Sequence, residues 1–419
     1  MPRHFILVPF GSAGDVNPFL WIGHELQQRG HAATLIAPPT FADAARRAGV
    51  PHVPVGDPGQ YERLVRNPKL WHPWHGMHLT LGFAGDMTAE YYDTIAAVRE
   101  RAGPDVVLVG SLLALGARLA REKLRLPLAT VHLQPSVILS LHDTPVMRAH
   151  LEWFARMPRW FKRLFFALPN PLDQCAGRSV RAACRTLGVP APRSLMREWM
   201  NSPDGVLCLF PDWFGSPQPD WPPRHRLAGF PLYDLGQYQE LSPAIERFLA
   251  AGPAPVVFTA GSAMLHAHEF FATALAVCRE LRLRAVFATP DRAQLPAELP
   301  DTILATGYVP FSRLLPRAAA IVHHGGIGTL AQALAAGIPQ LVMPMAHDQP
   351  DNAQRLVRLG VGRRLYPAKF TVTNVTAALR SLLNNPEVSA ACEALAAKVQ
   401  LGQPATITLD TLESLQRAS

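Results

Sequence analysis

Val322-His323-His324-Gly325-Gly326-Ile327-Gly328-Thr329 sets two imidazoles beside a run of glycines, and Met345-Ala346-His347-Asp348-Gln349 follows a short way on. The first stretch reads as a strand entering a glycine-rich turn and then a helix. The second reads as the next strand, ending in a carboxylate and an amide. A turn of the first kind aims backbone N–H groups and a helix N-terminus at one spot, which suits a phosphate. The carboxylate and amide can accept from and donate to sugar hydroxyls. Alternation along a strand sends His323 and His324 to opposite sides, so at most one of them faces a ligand. Gly261-Ser262, after an earlier apolar run, either completes the phosphate cradle or makes a plain turn.

A second glycine turn, Gly11-Ser12-Ala13-Gly14-Asp15, follows the first apolar run. Its spacing is GxxG, not the GxGxxG of a dinucleotide turn. The second strand ends in Ala37-Pro38-Pro39 with no acidic residue for a ribose, so a nicotinamide site is not indicated. Asp15 is either a general base or a helix cap. His72, His75 and His78 are interrupted by Pro73 and read as a loop, not a metal site, and no Asp-x-Asp motif occurs. A diphosphate here would be held by side chains and helix dipoles, with no metal and no cofactor expected.

These residues need a scaffold. Phe5–Phe10, Ala33–Ala37, Val106–Val109, Leu128–Val131 and Gly205–Leu209 read as strands of one parallel sheet, with a helix over Pro18–Arg29 stopped at Gly30. Pro255–Thr259, Ala285–Ala288, Ile303–Ala305, Ala320–Val322 and Gln340–Met343 form a second series. The expected fold is α/β, with two Rossmann-like parallel-sheet domains facing a cleft. The expected division is an N-terminal domain over 1–215, a proline-rich linker over 216–243, a C-terminal domain over 244–388, and a helical segment over 389–419 that crosses back. Leu151–Leu168 interleaves aromatic and basic residues: Phe154, Trp160 and Phe161 among Arg156, Arg159, Lys162 and Arg163. Such a helix lies on an anionic membrane, lines a lipid groove, or packs on the core.

The 419 residues suit two domains of about 200 residues each. With 48% hydrophobic and 17% charged residues the chain is globular, and its +8 charge suits anionic ligands or anionic lipid. No block of basic residues appears, which argues against nucleic acid. The five cysteines are scattered without CxxC spacing, as expected of free thiols in a reducing compartment. No apolar run approaches the length of a membrane span. The expected location is the cytoplasm, with contact at the inner membrane face.

The motifs together resemble the GT-B glycosyltransferases of the UDP-glycosyltransferase-like superfamily. The resemblance rests on Gly11-Ser12-x-Gly14-Asp15-Val16-x-Pro18, on Gly307-Tyr308-Val309-Pro310 followed by Leu314-Leu315-Pro316, and on the stretch from His323 to Gln349. Within that group the sequence is similar to the catalytic rhamnosyltransferase of rhamnolipid biosynthesis, through Gly110–Arg118, Leu207–Pro211, Gly229–Leu232 and His347–Ala353. The resemblance implies that Asp15 is the base. It implies that His323, Gly328 and Thr329 hold the donor diphosphate with Gly261 and Ser262. Val309 and Tyr308 would meet the nucleobase, and Asp348 and Gln349, with His347, the sugar. Ser12, Phe154, Trp160 and Phe161 are acceptor-side candidates. Ala331 stands where plant members carry a ribose-binding Glu, which suits a deoxyribose donor.

The activity so implied is inverting, metal-independent transfer of rhamnose from dTDP-L-rhamnose to a hydroxy-fatty-acid lipid, a 3-(3-hydroxyalkanoyloxy)alkanoate, beside the enzyme that makes that lipid. Two alternatives stand: a UDP-glucose transferase acting on a sterol, polyketide or other lipid, and a nucleotide-sugar binding or epimerase-like protein.

Overall fold

His4-Phe5-Ile6-Leu7-Val8 form the first strand, β1, and Phe5 to Val8 are wholly buried. A strand covered by helices on both faces needs apolar residues at every position, not at alternate ones. Each such side chain contributes about 1.5–3 kcal/mol on burial. The computed structural model describes residues 2–72, 75–148, 151–234, 239–261, 264 and 267–416.

The chain forms two units. The first comprises residues 1–145, 153–231 and 403–419, and the second residues 146–152 and 232–402. The first unit holds β1, β2 (Ala32–Ala37), β3 (His52–Pro54), β4 (Val106–Ser111), β5 (Leu128–His132), β6 (Gly205–Cys208) and β7 (His225–Leu227). They form one parallel sheet in the order β3-β2-β1-β4-β5-β6-β7. The second unit holds β8 (Val256–Thr259), β9 (Ala285–Ala288), β10 (Ile303–Thr306), β11 (Ala320–His323), β12 (Gln340–Val342) and β13 (Gly362–Arg364). Its parallel sheet runs β10-β9-β8-β11-β12-β13. The strand order reverses between β1 and β4 in one sheet and between β8 and β11 in the other. The carboxyl ends of strands at such switch points are where open α/β sheets bind ligands.

The proline-rich stretch expected to be a linker begins inside the first unit. β7 pairs with β6 at its edge, and Trp221 and Phe230 around it are buried. Trp221 lies edge-on to Phe210, with ring centroids 6.1 Å apart. An edge strand bonds on one side only, so it tolerates flanking prolines that a central strand would not. The return to the first unit falls at Gln403, not near Ser389. The helix Pro386–Gln400 stays with the second unit, and the helix Pro404–Glu413 packs on the first. There Arg29 pairs with Asp410 at 2.6 Å, and His31 meets Glu413 at 2.9 Å. Residues 146–152 join the second unit, where the Val146 N–H donates to Asp351 (3.0 Å) and Glu152 accepts from Tyr366 (2.7 Å).

Two helices of the first unit, Thr88–Ala102 and Leu115–Leu124, approach so closely that a Cβ at Gly116 would lie 2.4 Å from Tyr91 Cβ and 2.7 Å from the Thr88 carbonyl oxygen. Gly82, inside the helix His75–Asp86, has no such neighbour within 4 Å. Gly116→Ala is therefore expected to cost about 1–3 kcal/mol by overpacking. Gly82→Ala should instead gain about 0.5–1 kcal/mol through helix propensity. Urea unfolding of the two variants checks both signs.

Candidate active site

In the first unit, β1 leads through Gly11 and Ser12 into the helix Ala13–Gln28, which places Asp15 in its first turn. The Ser12 N–H donates to Asp15 Oδ2 at 2.7 Å, and the Ser12 hydroxyl donates to the same oxygen at 3.0 Å. This is a helix cap, so the capping role of Asp15 is present. Both Ser12 bonds fall on Oδ2, so Oδ1 takes no part in them. Gly11 has φ +132°, and a Cβ there would lie 2.3 Å from Asp15 Oδ2. Only glycine lets the carboxylate fold over this turn. Burial pushes the Asp15 pKa above the usual carboxylate range, against the opposing pull of the Ser12 N–H and hydroxyl. A carboxylate made more basic in this way is better matched to taking a proton near neutrality.

In the second unit, the two adjacent histidines have opposite fates, and His323, the one expected to face the donor, is turned inward. His323 is wholly buried. Its Nε2 lies 3.0 Å from Gln340 Oε1 on the neighbouring β12, and its Nδ1 accepts from the Gly325 N–H at 3.2 Å. Gln340 in turn donates to the Leu330 carbonyl at 3.3 Å, which fixes its oxygen as the acceptor and His323 Nε2 as the donor. Burial, then His324, pushes the His323 pKa down to about 3. It is a neutral brace inside the sheet, not a diphosphate ligand.

His324 is the half-buried one. Its ring rests against two glycines: a Cβ at Gly261 would lie 2.6 Å from it, and one at Gly326 2.5 Å from it. It therefore sits between the turn after β8 and the turn after β11, at the carboxyl edge of two neighbouring strands. Its Nδ1 is buried without a protein partner, and burial holds its pKa at about 4. A bound anion would raise that value, because an opposite charge favours the protonated ring.

Gly326 caps the helix Ile327–Ala335, with Gly328 exposed and Thr329 half-buried in its first turn. The unbonded N–H groups there and the positive end of the helix favour an anion. Gly261 has φ +92° and donates its N–H to Thr259 Oγ1 at 3.2 Å. Ser262 lies outside the described residues.

The loop after β12 carries His347, half-buried with φ +58°, a backbone region rare for any residue but glycine. Asp348 precedes the helix Gln349–Arg358. Its Oδ2 accepts from the side-chain amide of Asn352 at 2.6 Å, and the same amide donates to the Gly325 carbonyl at 3.0 Å. Asn352 is wholly buried and ties the glycine turn to the Asp348 loop. Reading the sequence for site residues passes it over, although its spacing of four from Asp348 on one helix is the available signal.

Gln349 is placed differently from expectation. It is buried, and its Oε1 accepts from the N–H groups of Met345 (2.8 Å) and Ala346 (3.2 Å), so its carbonyl shapes the loop and is not offered to a sugar. Asp351 is buried and paired with Arg355 at 2.7 Å. Tyr308 is exposed and Val309 buried beyond the end of β10. Trp160 and Phe161 lie on the helix Arg159–Ala167 of the first unit, and Phe154, from the short helix Glu152–Ala155 before it, meets Phe161 with ring centroids 6.3 Å apart.

Contacts thus unite Gly261, His324, the Gly325–Thr329 turn, Asn352 and Asp348 in one place. That place can hold a diphosphate beside a hydroxyl-rich group. Asp15 is a separate, basic carboxylate on the other unit.

Known proteins carry the same organisation. Residues 5–140 match the glycosyltransferase family 28 N-terminal domain, and residues 279–412 match the C-terminal domain of erythromycin biosynthesis protein CIII-like proteins. Glycosyltransferase GtfE of Amycolatopsis orientalis is 30% identical over 413 residues, covering 94% of this chain and 93% of its own. O-mycaminosyltylonolide 6-deoxyallosyltransferase of Streptomyces fradiae is 27% identical, over 91% of this chain and 90% of its own. The solved spinosyn rhamnosyltransferase SpnG complexed with thymidine diphosphate shares the fold at a TM-score of 0.69 and 22% identity, over 99% of this chain and 100% of its own. On these findings and the donor-type turn at His324, the chain belongs to the GT-B glycosyltransferases that join a family 28 N-terminal domain to an EryCIII-like C-terminal domain and use a nucleotide-sugar donor.

Proposed function

We propose that this glycosyltransferase moves rhamnose from dTDP-L-rhamnose to the hydroxyl of a 3-(3-hydroxyalkanoyloxy)alkanoate lipid, with inversion and without a metal ion. The observation that carries the proposal is that each unit holds one such device: a carboxylate made basic by burial at Asp15 in the first, and an imidazole at His324 set between glycine turns beside a helix N-terminus in the second. In the reaction, Asp15 takes the acceptor O–H proton. The freed oxygen forms a bond to the anomeric carbon from the side opposite the leaving group. The bond from that carbon to the diphosphate oxygen breaks, and the diphosphate departs with the electron pair. The first-turn N–H groups of Gly328 and Thr329 and the His324 ring stabilise the growing negative charge. Asp348, oriented by Asn352, accepts from sugar hydroxyls, and Tyr308 and Val309 border the base.

A deoxynucleotide donor is supported by Ala331, which offers no carboxylate to a ribose diol, and by the thymidine diphosphate of the SpnG complex. A second reading keeps the mechanism and replaces the lipid by a polyketide. It is favoured by the tylonolide and spinosyn names of the relatives. Mass spectrometry of products from a panel of dTDP- and UDP-sugars with lipid and macrolide acceptors decides between the two. The first reading predicts rhamnosylated lipid, and product from macrolide alone would contradict it.

Asp15→Asn should lower kcat by about 10²–10⁴-fold, as expected for loss of a general base, with dTDP affinity by calorimetry unchanged. Its stability carries a sign. Asp15 has a raised folded pKa, so its ionised form is disfavoured in the native state and its contribution to stability falls as pH rises through that pKa. The Asn variant should therefore be at least as stable as the parent at pH 8, with the difference vanishing at pH 4 in thermal unfolding.

His324→Ala should weaken dTDP binding by about 10- to 150-fold, the equivalent of one charge-assisted hydrogen bond of about 1.5–3 kcal/mol. His323→Ala should act chiefly on stability, since it leaves Gln340 and the Gly325 N–H without their buried partner. Calorimetry and urea unfolding of both variants test this division of roles.

A further inference from the structure

The helix Arg159–Ala167 is inside out. Its wholly covered side chain is a lysine: Lys162 is 4% exposed and donates to Thr144 Oγ1 (2.9 Å) and the Ala155 carbonyl (3.2 Å). The residues turned to solvent are Trp160 at 65%, Leu164 at 62% and Phe165 at 54%, with Leu168 at 61% just beyond the helix end. Positions 160, 164 and 168 follow one another at four-residue spacing, and 161 and 165 lie alongside, so they form one stripe.

The stripe is continuous with further aromatic surface. Phe154 touches Phe165 with centroids 4.8 Å apart, and Trp153, 50% exposed, lies edge-on to Phe154 at 6.0 Å. A helix that packed its apolar face on the core would show the opposite arrangement. Contiguous apolar surface of this kind marks an interaction site.

The charges around the stripe select the occupant. Arg156, Arg159 and Arg163 are exposed, and Arg159 and Arg163 flank the stripe on the helix. At the helix C-terminus the Arg197 guanidinium donates to the Phe166 carbonyl and, at 2.8 Å, to the Leu168 carbonyl, adding a further exposed cation. Aromatic and aliphatic side chains between arginines match a bilayer interface whose headgroups are anionic: rings and Leu side chains enter the acyl boundary while guanidinium groups meet phosphates. Among the described residues no helix is long and apolar enough to cross a membrane, so attachment would be from one side.

We propose that Trp153, Trp160, Leu164, Phe165 and Leu168, rimmed by Arg156, Arg159 and Arg163, dock this protein on the surface of an anionic lipid bilayer. This does not depend on the sugar or acceptor proposed above, and it is read without any activity assay.

The test is cosedimentation of the full chain with vesicles of phosphatidylglycerol and phosphatidylcholine, compared with pure phosphatidylcholine. The anionic vesicles should retain at least about fivefold more protein, and the excess should shrink as salt rises. Leu164→Glu/Phe165→Glu should abolish retention. Arg159→Gln/Arg163→Gln, which leaves the apolar stripe untouched, should lower it several-fold, and it keeps the test open if the first variant does not fold. Equal retention on both vesicle types, or full retention by a folded variant of either kind, would overturn the proposal. So would self-association in sedimentation velocity that Leu164→Glu/Phe165→Glu removes, with no vesicle binding by the parent, since a second copy would then cover the patch.

Discussion

The second unit depends on how close a backbone can come to an imidazole. His324 lies between Gly261 and Gly326, and a single added carbon at either position would lie within 2.6 Å of the ring. Gly325 is under the same constraint from behind, with φ +97° and a Cβ position 2.8 Å from Val342. Two backbone turns are thus drawn together because their glycines have no side chains to keep them apart. The proximity leaves the ring beside the helix N-terminus at Gly326. Asn352 then fastens the arrangement to the Asp348 loop through one amide that donates twice. Its Oδ1 is buried without a protein partner.

The first unit uses the same device once more. Gly11 is compatible with Asp15 only because it lacks a Cβ, and the carboxylate folded over it both caps a helix and is raised in basicity by burial. Capping a helix and gaining basicity are compatible in one carboxylate. The hydrogen bonds of the cap orient the carboxylate, and the burial that accompanies them raises its proton affinity. In each unit, glycine at the end of a switch-point strand lets a polar side chain lie flat on the main chain.

Much of this could be read in the chain itself, for physical reasons. Strands buried on both faces appear as unbroken apolar runs, and glycine turns at their ends stand out against them, so the central strands and both turns were open to inspection. The choice between His323 and His324 was not. Alternation shows that they diverge, but the side on which His323 falls is set by Gln340, on a neighbouring strand 17 residues away in sequence. The tasks of Gln349 and Asp351 are likewise decided by backbone and side-chain partners that spacing does not reveal. β7 was hidden because prolines, which forbid a central strand, are tolerated beside an edge strand. The surface helix at Trp160 misleads in a similar way: its amphipathic pattern is plain, but which stripe faces inward depends on Thr144 and the Ala155 carbonyl receiving Lys162.

The most direct test of the account is a crystal structure of the protein with dTDP bound. The diphosphate is expected within hydrogen-bonding distance of His324 and of the backbone N–H groups of Gly328 and Thr329, with His323 still bonded to Gln340. A diphosphate seated away from the 324–329 turn, or one reached by a rotated His323 that has released Gln340, would contradict the claim that glycine-backed His324 and the helix end form the donor site.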